Sequence, residues 1–149
     1  VPILLWDPAG IVGAVHAGWR GTAADIAGEA IRVGVARLGL QPAACRVAIG
    51  PCISADAFEV GDEVVQGLRG AGLVDDAFGL RFGPGGRPHV DLRRANRALL
   101  VRAGVPDAAI EDVGGCTVGP TCRHHSHRRD RERSGRQRGI IALAPGAVR

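Results

Sequence analysis

Two short apolar runs separated by a turn signal constrain this chain more than any other feature. Ile3–Trp6 and Ile11–His16 flank Asp7-Pro8-Ala9-Gly10, and Pro and Gly within four residues punctuate a turn. The spacing predicts two short strands, the second folding back to pair with the first. A helical pattern follows at once. Thr22 with Asp25 three residues later resembles a capping box with Asp in place of the usual Glu. Ala23, Ile26, Ala27, Ala30, Ile31 and Leu38 then recur at helical spacing, while Asp25, Glu29 and Arg32 fall off that stripe.

The same alternation continues. Arg46–Ile49 reads as a short strand ending at Gly50-Pro51, and a helix is predicted from about Val60 to Leu68. The Gly-rich stretch from Gly70 through Arg87 reads as an excursion loop. Val90–Leu92 leads into a helix that puts Leu92, Ala95, Leu99 and Ala103 on one face. Ala109–Val113 reads as a strand, an Arg/His-rich loop follows, and Gly139–Leu143 is expected to close the fold as a last apolar strand. Strands alternating with helices, with no repeat and no linker, predict one mixed α/β unit.

Composition narrows the function classes. Of 149 residues, 46% are hydrophobic and 23% charged, which excludes a disordered chain. No apolar run approaches the ~18 residues of a transmembrane helix, and no signal segment opens the chain. A cytoplasmic protein without a membrane partner is therefore expected. The four cysteines (Cys45, Cys52, Cys116, Cys122) form no C-x-x-C pair, which favours reduced thiols over a disulfide framework. All 19 basic residues are Arg. Seven of them lie between Arg123 and Arg138 with only two acids, whereas the remainder carries 12 Arg against 13 acids. The basicity belongs to one loop. That loop has no aromatic residue on which bases would stack, so a nucleic-acid partner is not expected, although clustered Arg is the footprint of one.

Chemistry concentrates where the second strand meets the first helix, in Ala14-Val15-His16-Ala17-Gly18-Trp19-Arg20-Gly21. A helix start offers unpaired backbone N–H groups that favour anions. An imidazole, an indole and a guanidinium within five residues suit metal ligation, base stacking and phosphate binding. They equally suit a strand-end His, a core Trp and a solvated Arg. A second group, Cys116, Cys122, His124, His125 and His127, has a spacing that fits no common zinc finger.

His-Ala-Gly-Trp-Arg-Gly at 16–21 resembles the signature of the zinc-dependent purine nucleoside phosphorylases formerly called multicopper polyphenol oxidases, or laccase-like proteins. Other blocks match in the same order: Ile49-Gly50-Pro51-Cys52-Ile53, Phe58-Glu59-Val60-Gly61-Asp62-Glu63-Val64, His89-Val90-Asp91-Leu92 with Asn96, Cys116-Thr117, Ser126-His127-Arg128-Arg129-Asp130, and Gly135-Arg136 before the last apolar run. His125 and His127 depart from the family's pattern, which places aromatic residues there.

The resemblance implies an α/β fold of mixed sheets flanked by helices, layered α/β/β/α, with residues 1–149 as the C-terminal portion of a single domain. It implies zinc held by two His and one Cys, of which only His16 is expected in this chain. The Cys would immediately precede Val1, and this fragment would then be inactive alone. It implies a purine nucleoside and phosphate as partners, with adenosine deamination as a side activity. Trp19, Arg20 and Arg128 are the expected substrate-binding residues, with Arg129 beside Arg128 as a further candidate. Cys52 is read as a small buried hydrophobe. The alternative is copper-dependent oxidation of phenols, against which five His, three of them clustered, are too few for a multicopper centre. A basic nucleic-acid-binding module is the second alternative. The sequence sets no oligomeric state.

Overall fold

The structure is a computed structural model that describes residues 1–119 and 122–144. Among the described residues six strands, β1 (Pro2–Asp7), β2 (Ile11–His16), β3 (Arg46–Ile49), β4 (Arg81–Phe82), β5 (Pro88–His89) and β6 (Ile110–Asp112), accompany five α-helices. These are α1 (Trp19–Ala23), α2 (Ile26–Leu38), α3 (Asp62–Gly70), α4 (Leu92–Arg102) and α5 (His127–Asp130). The main sheet runs β2-β1-β3-β6 and is mixed: β1 pairs antiparallel with β2 and β3, whereas β3 pairs parallel with β6. β4 and β5 form a separate two-stranded sheet. The class is the mixed α/β expected from the sequence.

The hairpin register sets Pro2 opposite His16 and Leu5 opposite Gly13. Alternation along β1 then buries Ile3, Leu5 and Asp7, because successive side chains point to opposite faces. Ile3 and Leu5 join Val47, Ile49 and Ile110 of the neighbouring strands in a core closed by Ala27 and Ile31 of α2 and by Leu100 of α4. A second cluster packs Val64, Val65 and Leu68 of α3 against Leu92, Ala95 and Leu99 of α4. α4 thus separates the two clusters and contributes to both. Among the described residues, no helix is long and apolar enough to cross a membrane.

Asp7 is the buried charge that closes the hairpin. It is 1% exposed; its Oδ1 accepts from Ala9 N at 2.6 Å and its Oδ2 from Gln41 N at 2.8 Å. Asp7→Ala leaves both amides without these partners, so it is expected to lower stability by about 3 kcal/mol. Denaturant midpoints of the wild type and the variant check this. A change of less than about 1 kcal/mol would mean that water replaces the carboxylate at no cost.

Three sequence expectations need correction. Thr22 does not cap a helix with Asp25 at its third position. It lies inside α1, buried, with its hydroxyl donating to Gly18 O at 3.0 Å. Helix α1 ends at Ala23, and Asp25 caps α2 from a left-handed conformation (φ 52°), accepting from Gly28 N at 3.2 Å. A Cβ on Gly28 would sit 2.5 Å from Asp25 Oδ1, so the cap requires Gly there. The apolar stripe hid this break because it runs through it. The excursion loop is also more ordered than its glycines suggest, since Phe78 is fully buried in the second cluster and β4 pairs with β5. Finally, residues 139–144 form no strand. Gly139 passes over Leu4 and Pro2, and Ile140 is 77% exposed, so this apolar run buries little of itself.

Candidate functional site

The turn from β2 into α1 carries His16, Trp19 and Arg20 as the sequence indicates, but the structure sends them different ways. His16 ends β2 with an exposed side chain. A Cβ on Gly18 would lie 3.5 Å from His16 Nε2, so Gly at 18 leaves that nitrogen uncovered. Partial loss of hydration pushes the imidazole pKa below its ordinary value, which favours the neutral ring that ligates metals.

Trp19 begins α1 and packs against the second apolar cluster. The Arg20 guanidinium stacks over the indole, 4.5 Å from the ring centroid, within the range of cation–π attraction. Part of the Trp19 ring is thus core, and part lines a cleft.

That cleft has a volume of about 600 Å³, within the size range of small-molecule sites. Its walls include Trp19, Phe58, Glu59, Arg87, Pro88 and Arg128, with the first turn of α3 alongside. Arg128 reaches it from α5. Its guanidinium lies 5.4 Å from the Phe58 centroid and donates to Glu59 O at 3.0 Å. Arg87 donates to the Glu59 carboxylate at 2.7 Å, so its charge is largely matched. Among the described residues, neither Arg128 nor Arg20 enters an ion pair.

Arg128 and Arg129 are thereby separated. Arg129 is paired bidentately with Asp130 at 2.7 and 2.8 Å and donates to the carbonyls of Thr117, Cys122 and His124. It holds the loop together, and its guanidinium keeps the Asp130 carboxyl below the usual range. Ser126 caps α5 by accepting from Arg129 N at 3.4 Å, which directs the neighbouring Arg128 towards the cleft.

A second convergence was not foreseen. Arg93, on the first turn of α4, donates from Nη2 to Cys52 Sγ at 3.5 Å. Its Nε is buried without a hydrogen-bond partner and lies 3.9 Å from Asp112 Oδ1. No spacing rule pointed to Arg93 or to Arg87, whereas Phe58 and Glu59 stood inside a recognised block without an assigned role. Cys52 is buried, as read from the sequence.

Among the described residues, no three His, Cys, Asp or Glu side chains group so as to hold a metal. This covers the Cys116–His127 segment, where Cys116 Sγ is instead engaged by Ser54. One imidazole is not a zinc site. His16 alone therefore does not fit the zinc that the resemblance implies, and donors from outside the described residues would be needed.

Comparison with known proteins gives the same family as the motifs. The sequence model of the family described as multi-copper polyphenol oxidoreductase laccase matches residues 1–144. The chain is 45% identical over 127 residues to adenosine deaminase RL5 from an unknown prokaryotic organism, covering 85% of this chain and 47% of that protein. It is 40% identical over 143 residues to a purine nucleoside phosphorylase of Deinococcus radiodurans, covering 95% and 53%. Among solved structures, YlmD of Geobacillus stearothermophilus superposes with a TM-score of 0.82 at 40% identity, covering 90% of this chain and 50% of that one. YfiH of Bacillus licheniformis superposes with a TM-score of 0.81 at 37% identity, covering 89% and 50%. The chain spans about half the length of the curated relatives it matches.

Proposed function

The chain belongs to the multi-copper polyphenol oxidoreductase laccase family, and on that footing we propose that it serves phosphorolysis of purine nucleosides, with adenosine deamination as a second activity, within a polypeptide of its relatives' length. Relatives named purine nucleoside phosphorylase and adenosine deaminase support the substrate class. The observation that carries the proposal is the cleft that brings Trp19 and Phe58 together with Arg128.

In phosphorolysis a phosphate oxygen attacks the ribose carbon while the bond to the base breaks. The anionic nucleophile has to be held close and in line, which lowers the entropic part of the barrier. Fixed cationic groups also stabilise the charge that shifts during the displacement. Arg128, stacked on Phe58 and outside any ion pair among the described residues, suits phosphate, and Arg20 stacks on Trp19, whose ring lines the same cleft. The aromatic rings give the purine an apolar wall, and the Glu59 carboxylate is an acceptor suited to ribose hydroxyls. His16 would be one ligand of a zinc ion, which as a Lewis acid polarises bound oxygen. The remaining ligands would come from outside residues 1–149.

The test is incubation of a protein carrying this sequence within a chain of the relatives' full length with adenosine or inosine and phosphate. Free base with ribose 1-phosphate is expected, and inosine formed from adenosine would report deamination. Intact nucleosides in the presence of folded, metal-loaded protein would overturn the proposal.

A further inference from the structure

Two of the four cysteines pair across an isolated parallel bridge, Cys52 with Cys116. Thr117 N donates to Cys52 O at 3.1 Å and seats the register. Paired residues in a parallel bridge project to the same side, and adjacent backbones lie roughly 4.8 Å apart. That spacing falls inside the Cα separation of about 4.4–6.8 Å that a disulfide spans. Neither cysteine sits within a named strand, so no flanking ladder prevents the small approach that a sulfur–sulfur bond requires.

The two thiols differ in the way that a peroxide-sensing pair needs. Cys116 Sγ receives Ser54 N at 3.3 Å, Ser54 Oγ at 3.2 Å and Val118 N at 3.4 Å, and donors aimed at sulfur favour the thiolate. Burial alone would push the Cys116 pKa up, but these hydrogen bonds outweigh it and the value falls below the ordinary one. Cys116 is also partly exposed, whereas Cys52 is buried, is held as the thiol chiefly by that burial, and lies beside Arg93. Cys45 provides the contrast: it is 1% exposed and its pKa is pushed up to about 11, chiefly by burial.

We propose that Cys116 and Cys52 are the reactive and resolving thiols of a disulfide that hydrogen peroxide forms in this chain. The Cys116 thiolate attacks one peroxide oxygen, the O–O bond breaks, and hydroxide leaves, giving a sulfenic acid on Cys116. Cys52 sulfur then attacks the Cys116 sulfur, the S–O bond breaks, and the thiol proton leaves with the oxygen as water. Two thiols and one peroxide become one disulfide and two waters. The bond ties the segment after β3 to the segment that precedes the Arg-rich loop. It is independent of the nucleoside chemistry proposed above.

The experiment treats the reduced 149-residue chain with equimolar hydrogen peroxide, alkylates the remaining thiols after denaturation, and maps the peptides by mass spectrometry. The expected product has lost two hydrogen masses, links the peptides of Cys52 and Cys116, and leaves Cys45 and Cys122 alkylated. In Cys52→Ser, oxidation is expected to stop at Cys116 sulfenic acid, which dimedone traps. A bond from Cys116 to Cys122, a Cys116 that stays alkylatable while other thiols oxidise, or dimedone spread evenly over the remaining cysteines would each overturn the proposal.

Discussion

Replacing His16 by Ala in a protein of the relatives' full length is expected to remove bound zinc and phosphorolysis together. The side chain is exposed at the end of β2. Its loss should therefore change stability by no more than about 0.5 kcal/mol, and a functional defect would not reflect unfolding. Partners one shell outside a metal are worth about 10–100-fold in affinity, so removing a direct ligand should cost more than that. Metal analysis of protein produced without added copper, paired with chromatography of the products, reads both quantities. Full zinc occupancy in the variant would sink the assignment of His16. Copper in place of zinc in the unmodified protein would favour oxidation of phenols instead.

Arg128→Ala is expected to raise the KM for phosphate about 30-fold while leaving that for the nucleoside nearly unchanged. The size follows from losing a charge-assisted hydrogen bond worth about 2 kcal/mol. Arg128→Lys keeps the charge but loses the flat, forked geometry, and should recover only part of the loss. Arg129→Ala is the informative neighbour. It breaks the pair with Asp130 and three contacts to loop carbonyls, so it should destabilise the loop and affect both substrates alike. An unchanged phosphate KM in Arg128→Ala would take the cleft out of the proposed reaction.

The hairpin was legible in the sequence because turn residues sit between two apolar runs whose alternation fixes the buried face. His16, Trp19 and Arg20 were legible because they fall in one strand-to-helix turn. Their separation was not, since it depends on where α3 and α5 lie: Trp19 packs on α3's cluster, and Arg128 arrives from more than a hundred residues further along the chain. Arg87 and Arg93 left no trace in the pattern. One lies in a Gly-rich excursion, and the other reads as an ordinary polar position on an amphipathic helix. The break at Asp25 was hidden for a different reason. A positive φ at a non-glycine residue is compatible with Asp, and it leaves the surrounding apolar spacing undisturbed.

The order β2-β1-β3-β6 also grades the sheet by the length of chain that each pairing must close. Leu5 meets Gly13 across a tight turn, Leu5 meets Val47 only after β2, α1 and α2, and Val47 meets Ile110 only after α3, the second sheet and α4 have intervened. Loop-closure entropy rises by about 0.6 kcal/mol per doubling of loop length, so the last pairing costs roughly 2 kcal/mol more than the first. One edge of the sheet is thus nearly local, whereas the other depends on contacts made far along the chain. The residues that repay the longer closure are those of α4, whose Leu99 and Leu100 face the two separate clusters.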